Sequence, residues 1–183
     1  MPIDDILLET EEHMEKAIEH LQHELRGIRT GRASPGLIEH VKVDYYGTPT
    51  DLRNISNISV PEGNQLLVRP FSPQDVGAIL RAINDSKLGL NPQSDGKQIR
   101  ITLPPMSMDR RKQLVAQVKE LGEHTKVAIR NIRRDANKHI EAEEHVSEDE
   151  TNRAKAETQE LTKQYEEKAN DAVKKKEQDV MEV

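Results

Sequence analysis

Basic residues recur at seven-residue intervals in one stretch of the chain and could bind phosphate if that stretch is a helix. Lys112, Lys119, Lys126 and Arg133 would drift only slightly around a helix axis, because successive residues turn by about 100°. The other polar side chains that share or border this face are Arg130, Asn137 and Arg134. We call this set the basic sector. It lies away from the apolar residues of the same segment, so we expect it to face outward. Guanidinium groups bind phosphate through paired hydrogen bonds and stack on bases, so the basic sector predicts RNA binding.

A solvated helix face is the plainer interpretation of such a charge run. Two features favour RNA binding instead. Opposite charges are not interleaved within the basic sector, as i,i+4 ion pairing would require. Arginine is also concentrated at Arg130, Arg133 and Arg134, where lysine would serve solubility equally well. Phosphate contacts from such a helix would depend steeply on salt.

A second basic group consists of Arg26, Arg29 and Arg32. It stands at the end of the first predicted helix. If the first two long helices are antiparallel neighbours, this group could extend the basic sector, but the sequence alone leaves that open.

The sequence offers no other site for chemistry. It has no Cys, which excludes disulfides, thiolate metal sites and a cysteine nucleophile. Its histidines are scattered, whereas a metal site needs three or four converging ligands. It lacks a glycine-rich phosphate loop and a nucleophile elbow. We therefore expect no cofactor, no bound metal and no enzyme activity.

The composition suits long helices that share a thin core. Of 183 residues, 33% are charged and only 2% aromatic, too few aromatics for a thick globular core. The net charge is −6, yet residues 106–140 contain nine Lys/Arg and four Asp/Glu. The chain has neither a signal-peptide pattern nor an apolar run of about 20 residues that could cross a bilayer. We expect a soluble cytoplasmic protein without a membrane partner.

Three segments have helical periodicity: residues 3–29, 107–145 and 147–180. Ser147 and Glu150 would form a capping box at the start of the third segment. Each segment has one narrow apolar stripe that it cannot bury alone, so the three predict a helical bundle. The stripes contain Ile3, Leu7, Met14, Ile18, Leu21, Leu25 and Ile28; then Leu114, Val118, Leu121, Thr125, Ile129, Ile132, Ala136 and Ile140; then Ala154, Leu161, Tyr165, Ala169 and Ala172.

The intervening chain has the pattern of a small α+β domain. Strands are predicted at residues 41–46, 52–60 and 65–70, and a helix follows over residues 72–86. Residues 88–103 contain a hairpin turn at Asp95-Gly96. Tyr45 and Tyr46 stand beside a turn, where a contact surface is one role for them; we expect them instead to pack against the sheet.

Glycine and proline interrupt the pattern at both junctions, over residues 30–36 and 103–105. The predicted organisation is therefore a discontinuous three-helix bundle from residues 1–30 and 105–183, with residues 31–104 as an inserted β/α/β domain. Two short connections would limit rotation between the domains yet still permit a hinge.

Five motifs closely resemble the bacterial ribosome recycling factor family. They are IRTGRASP at residues 28–35, YYGTP at 45–49, LGLNP at 88–92, LPP at 103–105 and RNIRRDAN at 130–137. They occur in that family's order and span nearly the whole chain. The resemblance implies an α+β fold in which a long three-helix bundle carries an inserted β/α/β domain, with an L shape and a two-strand hinge.

The resemblance also implies a function and its partners. Such a protein would act as a monomer and bind the large ribosomal subunit near the peptidyl transferase region and the intersubunit bridges. Elongation factor G with GTP would then drive it to separate the subunits, and GTP hydrolysis would belong to that partner.

Residue roles carry over by the matching motifs. Arg133 matches the family's main RNA-contacting arginine, with Arg130 beside it, and Arg29 and Arg32 match basic positions near the hinge. The resemblance maps the hinge to Thr30, Gly31, Arg32, Ala33, Ser34 and Pro35, and to Leu103, Pro104 and Pro105.

Two other functions fit parts of the sequence. A ribosome-associated stasis factor would share the basic sector but would not need a hinge. A coiled-coil adaptor or chaperone would dimerise through its apolar stripes and would lack salt-sensitive RNA affinity.

Overall fold

The computed structural model describes residues 1–182. The chain divides into two compact units. The first consists of Met1–Leu25 and Val115–Gln178, and the second of Arg26–Leu114 together with the chain from Asp179 onward. In chain order the helices are α1 (Ile3–Arg26), α2 (Leu52–Ile55), α3 (Val76–Asp85), α4 (Met108–Glu141) and α5 (Glu148–Met181), and the strands are β1 (Lys42–Tyr45), β2 (Thr48–Asp51), β3 (Ser56–Glu62), β4 (Gln65–Pro70), β5 (Pro92–Ser94) and β6 (Ile99–Thr102).

The predicted α+β fold and its three long helices are confirmed. The first two end earlier than predicted, at Arg26 and Glu141. The predicted capping box begins α5: the backbone N–H of Ser147 donates to a Glu150 carboxylate oxygen at 3.0 Å, and the N–H of Glu150 donates to the Ser147 hydroxyl at 3.3 Å. Hydrogen bonds from the Ser147 backbone N–H and hydroxyl to the carboxylate lower the pKa of Glu150. The box also satisfies backbone donors that the first turn leaves unpaired. None of the described helices is long and apolar enough to span a membrane.

The core of the first unit is the thin apolar seam that the sequence predicted. Its buried stripe positions are Met14, Ile18, Leu21, Leu25, Val118, Ile129, Ala136, Ile140, Ala154, Tyr165 and Ala169. At the start of α1 the stripe is shifted by one residue, since Ile6 is buried and Leu7 only partly so. Ile6 packs with Ala136, Ile140 and Ala154, which joins all three helices in one cluster.

Two contacts fix the antiparallel register of α4 and α5. A Cβ built on Gly122 would lie 2.5 Å from Val173 Cγ2, so the helices approach closely at this level. Further along, the hydroxyl of the fully buried Thr158 donates to Asn137 Oδ1 at 2.8 Å. From Gly122 to Asn137 along α4, the contacted residues on α5 run backward from Val173 to Thr158, so the two helices are antiparallel. The two helices are therefore held against sliding at the level of the basic sector.

The second unit is built on a four-stranded antiparallel sheet in the order β3-β4-β6-β5, with β1 and β2 as a separate hairpin. The sheet core includes Leu66 and Val68 of β4 and Ile99 and Ile101 of β6, and Ile79 and Ile83 of α3 belong to the same cluster. The strand predicted over residues 52–60 is wrong in its first half, which forms the single helical turn α2. Leu52 and Ile55 are both buried. Their spacing places them on one face of a helix but on opposite faces of a strand, and two residues alone are too few to establish either period.

The β1–β2 turn presents an exposed aromatic ring. Tyr46 and Gly47 both have positive φ, 52° and 82°, which is the geometry of a two-residue hairpin turn. Tyr45 packs against the core, whereas Tyr46 is 80% exposed. The expectation that both tyrosines pack on the sheet is therefore wrong for Tyr46.

Both segments predicted as hinge strands are hydrogen-bonded to the β3–β4 turn. Ala33 N–H donates to Gly63 O at 2.7 Å, and Leu103 N–H donates to Asn64 O at 2.8 Å. Ala33 and Leu103 are also buried in the core of the second unit. These two residues are therefore fixed parts of that unit.

Candidate nucleic-acid interface

The basic sector is displayed by α4, whose N-terminus is capped by Ser107. The Ser107 hydroxyl accepts from the N–H of Arg110 at 3.2 Å. The basic sector does not point directly away from the core, because it lies on the flank of α4 that neighbours α5. The prediction that it faces outward is therefore wrong for several members, which contact α5 as described below.

Arg130 is held by an acidic residue of α5. Its Nε–H donates to Glu166 Oε1 at 2.6 Å, while 46% of its side chain remains exposed. The ion pair uses only one of the five guanidinium N–H groups. Its two terminal amino groups have no other hydrogen bond within residues 1–182 and can reach solvent.

Arg133 is held by a neutral residue of α5. Its Nη1 donates to Gln159 Oε1 at 2.7 Å, and the side chain is half-buried. Within the described chain the edge formed by Nε and Nη2 has no hydrogen-bond partner, and this edge has the paired-donor geometry that binds phosphate. Gln159 is neutral, so it forms no ion pair with Arg133.

Arg134 is exposed. Its guanidinium has no ion pair or hydrogen bond within the described chain. It adds a free positive charge next to Arg130 and Arg133 in sequence. Lys112 and Lys119 are exposed as well.

Two members of the basic sector are engaged elsewhere. Lys126 Nζ lies 3.0 Å from Glu123 Oε1, and this hydrogen bond lowers the pKa of Glu123. The absence of interleaved acids, which the sequence suggested, is therefore wrong at this position. Asn137 is half-buried and accepts the hydrogen bond from Thr158, so its amide is directed at α5.

Arg29 and Arg32 belong to the second unit. Arg29 donates through Nη2 to the carbonyl of Pro104. Burial, and then the nearby charge of Arg110, lower the pKa of Arg29. Arg32 is exposed and forms an ion pair with Glu182 at 2.7 Å. Their predicted role in RNA binding stays a prediction.

The connecting residues have local roles in the second unit. The Thr30 hydroxyl donates to Arg32 O at 3.0 Å and accepts from Arg32 N at 3.2 Å, which closes a tight turn around Gly31. Ser34 and Pro35 are half-buried, whereas Pro104 and Pro105 are exposed. Whether these residues form a hinge stays a prediction.

Sequence reasoning missed the α5 side of this interface. Glu166 and Gln159 are seven residues apart, the same spacing as the lysines of the basic sector. That spacing is a weak signal because it does not say which helix lies beside which. Among the described residues, no group of three or more His, Asp or Glu side chains could hold a metal ion.

The fold defines a class of α+β protein in which a small antiparallel-sheet unit interrupts a bundle of long helices. The ribosome recycling factor family model matches residues 21–181. The ribosome-recycling factor of Thermomicrobium roseum is 48% identical, with 99% of this chain and all of the relative covered. That of Thermus thermophilus is 44% identical over 99% of this chain and 100% of the relative. This chain belongs to the ribosome recycling factor family.

Solved structures of ribosome recycling factors have the same fold as this chain. A solution structure of a ribosome recycling factor matches with a TM-score of 0.82 and 40% identity, covering 100% of this chain and 99% of that one. A second match has a TM-score of 0.71 and 43% identity over both whole chains. It presents models for the T. thermophilus ribosome recycling factor and E. coli elongation factor G bound to the E. coli post-termination complex. The family consists of non-enzymatic translation factors, which confirms that the chain is not an enzyme.

Proposed function

We propose that this protein binds the post-termination ribosome in the bacterial cytoplasm and, with elongation factor G and GTP, promotes its separation into subunits. Family membership supports the process, and the relative bound to a post-termination complex with elongation factor G supports the partners. The observation that carries the residue assignment is the pair of arginines, Arg130 and Arg133, each of which keeps one two-donor guanidinium edge without a partner among residues 1–182.

The proposed RNA contact is to phosphates of large-subunit RNA near the intersubunit bridges. Arg130, Arg133 and Arg134 supply paired donors and charge, and phosphate oxygens supply acceptors. Lys126 and Asn137 lie beside them, and Arg29 and Arg32 would add contacts from the second unit. Such contacts fix position on RNA without reading its sequence.

The mechanism proposed is mechanical. The long antiparallel helices are held in register, so the bundle can transmit a push without bending. Elongation factor G would press on the inserted domain, and the load would pass through the predicted hinge segments, residues 30–35 and 103–105. Bending within them would be confined to the residues between the long helices and the hydrogen-bonded Ala33 and Leu103. Moving the RNA-bound bundle against the intersubunit bridges would break subunit contacts, while GTP hydrolysis stays with the elongation factor.

The test compares Arg133→Ala with a charge-matched control, Lys175→Ala. Lys175 is an exposed residue of α5 with no contact to the basic sector among the residues the structure describes. We expect Arg133→Ala to weaken binding to isolated large subunits about tenfold or more, because a charge-assisted hydrogen bond pair is lost. The plot of log affinity against log salt should become shallower by roughly 0.7 to 0.9.

Lys175→Ala should bind almost as the unmodified protein does. If Arg133→Ala keeps its fold by circular dichroism and still binds like the unmodified protein, the assignment of the RNA contact to Arg133 is wrong.

A further inference from the structure

Each of two α5 side chains contacts an arginine of α4 and leaves one two-donor edge of its guanidinium group without a partner in the described chain. Glu166 accepts from the inner Nε–H of Arg130, which leaves the two terminal amino groups. Gln159 accepts from one terminal amino group of Arg133, which leaves the adjacent pair Nε and Nη2. Each arginine therefore keeps one complete two-donor edge, and a phosphate binds such an edge bidentately.

The helix positions that carry these acceptors and the arginines are held in register. The close approach of Gly122 to Val173 and the hydrogen bond from Thr158 to Asn137 lie on either side of them along the helices. Glu166 is itself about one-quarter exposed, at 26% of its side chain. Its carboxylate is thus partly withdrawn from solvent and aimed at α4.

An anchored arginine has fewer side-chain conformations to lose when it meets a phosphate. Fixing a long side chain at an interface costs enough free energy to lower affinity several-fold. If α5 already orders Arg130 and Arg133, their side-chain entropy is lost during folding rather than on binding. More of the favourable free energy of each phosphate contact then contributes to affinity.

We propose that Gln159 and Glu166 are positioning residues for phosphate binding by Arg133 and Arg130. They hold the two guanidinium groups in the orientation that the RNA requires, without touching RNA themselves. The proposal rests on the proposed function, because it assigns a role to residues that act only through the arginines.

Electrostatics and positioning predict opposite effects at Glu166. A carboxylate beside the RNA interface repels phosphate, so a purely electrostatic role predicts that its removal strengthens binding. A positioning role predicts that Glu166→Ala weakens binding, because Arg130 becomes free to rotate. Glu166→Gln keeps an acceptor oxygen at the same place and removes the charge. It should therefore bind at least as tightly as the unmodified protein.

Gln159→Ala tests positioning without any change of charge. We expect it to weaken binding to isolated large subunits about three- to tenfold, the cost of ordering one long side chain. The slope of log affinity against log salt should stay unchanged, because the number of phosphate contacts is unchanged. Arg133→Ala, in contrast, should reduce both the affinity and the slope.

Two exposed residues of α5 provide matched controls. Glu167→Ala removes the same charge as Glu166→Ala, and Gln164→Ala removes the same amide as Gln159→Ala. Neither residue contacts an arginine of α4 within the described chain. Both controls should bind at least as tightly as the unmodified protein, and thermal unfolding would show that all variants are folded at the assay temperature.

The experiment is a set of large-subunit binding isotherms at several salt concentrations for these variants. Weaker binding by Gln159→Ala and Glu166→Ala, with normal or tighter binding by Glu166→Gln, supports the proposal. Unchanged binding by Gln159→Ala together with tighter binding by Glu166→Ala overturns it, provided that Arg133→Ala is impaired. If Arg133→Ala binds normally, the proposed RNA contact of Arg133 is wrong. The positioning role of Gln159 is then wrong as well, because it acts only through that contact.

Discussion

Three threonine hydroxyl groups are buried in the long helices, at Thr10, Thr158 and Thr162. Thr10 donates to Ile6 O at 2.6 Å, and Thr162 donates to Thr158 O at 2.7 Å, so these two hydroxyls are satisfied within their own helices. The positions of the arginines on one face of α4 were predictable from the sequence. Their partners on α5 were not, because the sequence does not show which helix packs beside that face.

Tyr165 provides a test at the residue scale. Burial, then the hydrogen bond and charge of Glu15, raise its pKa from 10.0 to about 12. Because the folded state keeps the hydroxyl proton longer than the unfolded state, the resulting stabilisation is complete below about pH 10 and is lost as the pH rises toward 12. We expect the free energy of unfolding to fall more steeply over this range than in Tyr165→Phe, as measured by urea unfolding at each pH. Equal slopes for the two proteins would contradict the burial of this hydroxyl.

At the element scale, the long helices were predictable because each combines a strong periodicity with a start signal, such as the Ser147–Glu150 box. The turn α2 was not predictable, because four residues hold too little periodicity to distinguish a helix from a strand. The close approach of α4 and α5 at Gly122 was also missed. From the sequence alone, a glycine within a helical pattern indicates only a lower helix propensity. The residue that leaves no room for a larger side chain, Val173, lies about 50 residues away in the chain.

Gly122→Ala tests that close approach. Alanine normally stabilises a helix interior by up to about 1 kcal/mol relative to glycine. Here the added methyl would meet Val173 at 2.5 Å, and overpacking of this kind costs about 1–3 kcal/mol. We expect a net loss of stability by thermal or urea unfolding, partly restored by adding Val173→Ala.

Gly77→Ala in α3 is the matched control, since nothing lies within 4 Å of a Cβ at that position. It should be neutral or slightly stabilising. An increase in stability for both alanine variants would show that α4 and α5 are further apart than described.

At the scale of the whole molecule, the sequence indicated two parts because the composition changes at both junctions. The compact units divide the chain at residues 25/26, 114/115 and 178/179 rather than at the junctions themselves. The predicted hinge residues therefore all fall within the second unit, where Ala33 and Leu103 are tied to the β3–β4 turn. The sequence could not show these hydrogen bonds, because they join segments far apart in the chain. We therefore propose that any hinge bending occurs between the long helices and the two hydrogen-bonded residues, Ala33 and Leu103.

The Pro104-Pro105 pair tests the hinge proposal. Replacing both with glycine keeps the carbonyl that accepts from Arg29 but removes the stiffness of a diproline segment. We expect large-subunit binding to stay unchanged and the rate of subunit separation to fall, because the push is transmitted less effectively. Binding and light scattering, measured on the same variant, would show this. An unchanged rate of subunit separation would mean that these residues are not part of the hinge. A stasis factor, which needs no hinge, would also be insensitive to this change.

The most direct test of the central claim is light scattering of vacant bacterial ribosomes mixed with this protein, elongation factor G and GTP. We predict a fall in scattering that requires all three components, with Arg133→Ala much less effective than the unmodified protein. Elongation factor G from the same organism should be used, so that an incompatible partner cannot cause a negative result. No fall in scattering under those conditions, despite salt-sensitive binding to the ribosome, would contradict recycling and favour a factor that binds without splitting.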